Sequence, residues 1–109
     1  MKKTIEKIVE YAARIAEPDK IILFGSMANG TNDIHSDIDL LIVLDDLNLK
    51  KQIVERVVQF AEQYSLKADV LVYSINDLEQ AAKQPNSFLA GICKSGKILY
   101  QKPETPFHF

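Results

Sequence analysis

The chain has one cysteine, Cys93, among its 109 residues. A lone thiol excludes an internal disulfide and suits a reducing compartment. No apolar run reaches membrane length, and the Met1-Lys2-Lys3 start leads into an amphipathic segment instead of a signal-type apolar stretch. A soluble, cytoplasmic protein is expected. Clusters of Lys or Arg are also missing, and the formal net charge is −2. Tight binding to long nucleic acid rests on phosphate neutralisation, so this charge argues against it and favours a nucleotide or a protein as ligand. There are no repeats, linkers or low-complexity segments. What is present is 47% hydrophobic residues, enough for one core in a chain of this length.

The apolar residues are patterned. Ile5, Ile8, Val9, Ala12, Ile15 and Ala16 form a helical stripe that Pro18 ends, ahead of a strand over Lys20–Phe24. A second strand is expected over Asp37–Leu44. Ile53, Val54, Val57, Val58, Ala61 and Tyr64 then mark a second long helix. A third strand follows at Asp69–Tyr73. Ser74 with Asp77 is a cap for a short helix through Ala82, and Phe88, Leu89 and Ile92 suggest another that stops before Ser95-Gly96. Lys97–Gln101 is expected as a fourth, edge strand. The pattern predicts an α/β (α+β) fold: a small mixed sheet of about four strands with helices packed mainly on one face. Residues 1–102 are read as one domain and 103–109 as a loosely tethered tail.

Between the first two strands lies the most specific feature, Gly25-Ser26 followed by Asp37-Ile38-Asp39. Side chains alternate along a strand, so Asp37 and Asp39 point the same way with Cα atoms roughly 6.5–7 Å apart. Two like charges so close on an apolar strand repel each other and suffer desolvation unless a cation sits between them. Hard oxygen ligands favour Mg²⁺ or Mn²⁺. Asp69 opens another apolar strand and supplies a third acid if the strands are neighbours. Three carboxylates suit a two-metal site for in-line phosphoryl displacement. Gly25 lets backbone approach a phosphate, and a helix starting at Ser26 aims free N–H groups at it.

Strand, Gly-Ser, short helix, loop and Asp-x-Asp on the next strand together resemble the nucleotidyltransferase superfamily of DNA polymerase beta. The pattern is most similar to the minimal nucleotidyltransferases, the MNT-type antitoxins that accompany HEPN-domain toxins; it matches at Gly25, Ser26, Asp37 and Asp39, with the third acid at Asp69. The resemblance implies the nucleotidyltransferase fold and metal-dependent transfer of NMP, AMP from ATP, to a hydroxyl acceptor, a tyrosine of a HEPN-type toxin. It implies that Asp37 and Asp39 hold the metals, that Asp69 binds the catalytic metal and orients or deprotonates the acceptor, and that Gly25 and Ser26 hold the β/γ-phosphates. It also implies a hetero-oligomer with the toxin.

Members of this family often carry arginines in the turn, where this chain has Met27 and Asn29. Neutral residues there help less with triphosphate charge, so a partner is expected to supply cations. The same two residues support the rival reading, a non-catalytic antitoxin acting by occlusion. A small-molecule nucleotidyltransferase is the third reading, although such enzymes generally carry a further helical domain. His35 in its polar loop and His108 near the end read as solvated. Asp45 and Asp46 read as solvated acids ahead of a helix, and Cys93 on a short apolar helix reads as core.

Overall fold

The computed structural model describes residues 2–25, 37–84 and 86–103. Ser26, Met27, Asn29, His35 and His108 lie outside the described residues, as does the helix expected to start at Ser26. Helix α1 spans Lys2–Ala16. The predicted stripe faces inward: Ile8, Val9 and Ala12 are buried, with Ile5, Ile15 and Ala16 packed beside them. Glu17 ends the helix in the left-handed region at φ 46°, its N–H donating to the Ala13 carbonyl, and the fully buried Pro18 turns the chain into the sheet.

Four strands follow: β1 (Lys20–Phe24), β2 (Ile38–Val43), β3 (Ala68–Tyr73) and β4 (Lys97–Gln101), in spatial order β3-β2-β1-β4. β1 runs antiparallel to both β2 and β4, while β2 and β3 are parallel. A parallel pair needs a crossover, and helix α2 (Lys50–Glu62) provides it. It is preceded by a 3₁₀ turn over Leu47–Leu49, which Asp46 caps by accepting from the Asn48 N–H at 3.1 Å.

Alternation along β2 divides the core in two. Ile38, Leu40 and Ile42 face α1 and α2, together with Ile21, Leu23, Val70 and Val72 and the helix residues Ile53, Val57 and Ala61. Tyr11 of α1 stacks on Phe60 of α2 with ring centroids 4.3 Å apart, locking the two long helices over this face. The opposite face carries Ile22, Leu41 and Val43. It is covered by two shorter helices, α3 (Ile75–Ala82) and α4 (Phe88–Ser95), through Leu78, Leu89 and Ile92. The long helices thus share one face, and a smaller core exists on the other. Each fully buried aliphatic of β2 contributes about 1.5–3 kcal/mol of hydrophobic burial. This makes β2 the best anchored strand and a firm base for anything attached to its first residues.

The Ser74–Asp77 pair forms the expected reciprocal cap, each side chain accepting the other residue's backbone N–H at 3.0 Å. Cys93, expected in the core, is exposed instead. Ile92 takes the inward position of α4, and one residue further along a helix the side chain has turned by about 100°. Among the described residues, no helix is long and apolar enough to cross a membrane.

Candidate active site

The first residues of β2 and β3 and the last of β1 meet at one end of the sheet. Asp39 is paired in register with Asp69 on β3 and with Phe24 on β1. Neighbouring strands lie about 4.8 Å apart and paired residues share a face, so Asp69, Asp39 and Phe24 form a row across three strands. The row lies on the face of Leu41 and Val43, under the short helices. Asp69, placed beside the pair in the sequence reading on condition that its strand was adjacent, is on that adjacent strand.

Electrostatics make Asp39 the stressed member. Its pKa is raised above the usual carboxylate range, first by partial burial, then by the negative charge of Asp69, by a hydrogen bond that the protonated form makes to the Asp69 side chain, and by the charge of Asp37. Asp37, one residue before β2, has a lysine for company: Lys67 Nζ lies 3.9 Å from its Oδ2. The contact follows from the parallel ladder, because the Lys67 carbonyl accepts the Ile38 N–H at 2.9 Å and so brings residue 67 alongside residue 37. Sequence reasoning missed Lys67. Its only signal was a cation two positions before Asp69, which has no meaning until the strands are known to be neighbours.

Gly25 follows β1 with φ +77°, a conformation that L side chains rarely adopt. A Cβ there would collide with the Asp39 carboxylate. The glycine is therefore required by the structure itself: it lets the turn backbone lie against the acid. Ser26, the other residue of the turn, is outside the described residues.

The donor set suits a hard divalent cation. Asp39 and Asp69 are adjacent oxygen donors whose mutual repulsion a cation would relieve, with Asp37 close enough to add to the stress on Asp39. Among the described residues no three acidic, histidine or cysteine side chains converge into a ready metal-binding group. Asp39 and Asp69 stand side by side on paired strands, and Asp37 lies within 3.9 Å of Lys67.

Comparison with known proteins bears on this geometry. The family model described as "Polymerase beta, Nucleotidyltransferase" matches residues 6–105. Two Methanocaldococcus jannaschii proteins named as putative protein adenylyltransferases are similar in sequence. One is 40% identical over 57 residues, covering 52% of this chain and 57% of the relative; the other is 34% identical over 89 residues, covering 75% and 58%. The chain thus matches a little over half the length of these curated relatives. Among solved structures, a Sulfolobus solfataricus protein described as a putative nucleotidyltransferase superimposes with a TM-score of 0.64 at 20% identity, covering 94% of this chain and 81% of that one. A toxin–antitoxin crystallised with AMP-PNP superimposes with a TM-score of 0.53 at 22% identity, covering 89% and 73%. At those identities the structures speak for the fold. The family model, spanning nearly the whole chain including the Gly25 turn and all three acids, speaks for more: the chain belongs to the polymerase beta nucleotidyltransferase family.

Proposed function

We propose that this protein is a metal-dependent nucleotidyltransferase that moves AMP from ATP to a side-chain hydroxyl, a tyrosine of a HEPN-type toxin, and so acts as that toxin's antitoxin. The observation that carries the reading is the contact of the Gly25 backbone with Asp39 while Asp69 stands beside it on the neighbouring strand. A turn able to receive phosphates and a pair of acids able to hold divalent cations share one spot. The names of the two archaeal relatives support the protein acceptor, and the toxin–antitoxin with AMP-PNP supports a toxin partner and an adenine nucleotide.

Asp37, Asp39 and Asp69 would hold Mg²⁺ or Mn²⁺, which supplies charge neutralisation at the α-phosphate and the leaving oxygens. The chain's own groups do the rest. Backbone N–H groups at Gly25 and Ser26 hold the β- and γ-phosphates. Asp69, exposed on the edge strand β3, accepts the proton of the incoming hydroxyl. The acceptor oxygen bonds to the α-phosphorus as the bond to the bridging oxygen of the β-phosphate breaks, and pyrophosphate leaves with that electron pair.

The test is to co-express the chain with a neighbouring helical toxin candidate, separate the two under denaturing conditions and weigh the toxin. A mass gain of one AMP unit with wild type, absent with Asp39→Asn, is the expected result. A toxin that stays unmodified yet is neutralised equally by both versions establishes occlusion, the reading that Met27 and Asn29 favour.

A further inference from the structure

Phe88 is the most exposed of the large apolar side chains among the described residues, at 63%. It is the first residue of α4, and its backbone is firmly held. Ser87 caps the helix by accepting the Ala90 N–H at 3.1 Å, and its own N–H donates to the Gln84 carbonyl at 2.9 Å. The ring meets Phe24 edge to face with centroids 6.1 Å apart. Phe24 is the β1 residue paired with Asp39. The row across this end of the sheet therefore runs from acid to aromatic: Asp69, Asp39, Phe24, then the open face of Phe88.

We propose that Phe88 is a stacking platform for the nucleobase of the bound nucleoside triphosphate. The inference rests on the nucleotide site proposed above and adds what that reading leaves unplaced, the base. Phosphates lying over Gly25 and Asp39 leave the ribose and base to be directed one way or the other along the row. On the Asp69 side is the edge strand β3, with the carboxylate proposed above to take the proton of the acceptor hydroxyl. On the Phe24 side is the Phe88 ring, set against Phe24 and largely uncovered. The two substrates thus take opposite ends of one row. Stacking on an aromatic face is worth about 1–3 kcal/mol per base and tolerates any base, because every base has a π-face. Phe88 accordingly supplies affinity without choosing among bases.

Calorimetric titration separates this from the parent reading. With Mg²⁺ present, wild-type protein is titrated with a non-hydrolysable ATP analogue, the GTP counterpart and inorganic triphosphate, and the set is repeated with Phe88→Ala. Loss of the ring should weaken both nucleotide analogues by roughly 5- to 150-fold and by similar factors, while triphosphate binds unchanged. Equal affinities of wild type and Phe88→Ala for the analogues, or an equal loss for triphosphate, overturn the platform and leave the phosphate site standing. Failure of the wild type to bind any of the three overturns both. A second variant guards against a folding artefact. The chain has no tryptophan, so Phe88→Trp introduces a single indole whose fluorescence should be quenched by the ATP analogue and not by triphosphate. An indole unmoved by an analogue that calorimetry shows to bind counts against the proposal.

Discussion

Asp39 carries a cost that its neighbours impose. A carboxyl whose pKa is higher folded than unfolded holds more protons in the folded state between the two values, so stability falls as pH rises through that interval and stays lowered above it. The interval here starts at the ordinary value of 3.8 and extends upward. Asp39→Asn should therefore raise the melting temperature of chelator-treated protein at neutral pH, with the gain shrinking as the pH is brought down toward 3.8. Thermal unfolding across a pH series reads this directly. A gain that is flat, or that grows toward acid, contradicts the crowding of Asp39 by Asp69 and Asp37. The same variant should be inactive in AMP transfer, so stability and activity move in opposite directions. Gly25→Ala should lose on both counts. The new Cβ meets the Asp39 carboxylate in a backbone region that alanine avoids, for a loss of about 1 kcal/mol or more. Gly25→Ala should cost less in an Asp39→Ala background than in wild type, since the collision goes and the backbone strain stays; an equal cost in both would assign the loss to the backbone alone.

At the level of elements, the capping box at Ser74–Asp77 holds α3 at the angle at which Leu78 covers Leu41 and Val43. Ser74→Ala should cost about 1 kcal/mol in denaturant unfolding, and Ser74→Ala with Asp77→Ala should cost less than the sum of the two, because each bond helps form the other. Strict additivity would mean that the two bonds act separately. This cap was legible in the sequence because it is local, as were the α1 stripe stopped by Pro18 and the apolar runs of the strands. What could not be read depended on residues far apart in the chain. The parallel pairing of β2 with β3 puts Asp69 beside Asp39 and Lys67 beside Asp37, and no local pattern encodes it. Cys93 was misleading for a related reason. A short apolar helix does not announce which of its faces meets the sheet, and α4 turns Ile92 inward and leaves Cys93 outside. The three acids were singled out from the motif, and the structure brings Asp39 and Asp69 into register, whereas the collision that requires Gly25 emerged only once β1 and β2 were seen side by side.

Across the whole molecule, stability is graded along the sheet, and Asp39 sits close to its strongest part. β2 is paired on both sides and buried on both faces from Leu40 to Val43, whereas β4 is an edge strand with Ile98 and Leu99 exposed. Amides with two neighbours and no water nearby exchange only when the molecule unfolds globally, while those of a thinly covered edge open locally. Native-state hydrogen exchange should show Leu40, Leu41 and Ile42 protected to the full unfolding free energy and β4 exchanging through smaller openings. Val57→Ala, which hollows the larger core beneath α2, should lower the exchange free energy of the β2 amides by the same amount as it lowers global stability. The faster β4 openings should be left nearly unchanged. An equal shift at β4 would make the sheet a single cooperative block. Graded exchange would place Asp39 on the rigid strand β2 and β4 on the yielding side of the sheet, so that the carboxylate is held where the sheet opens last.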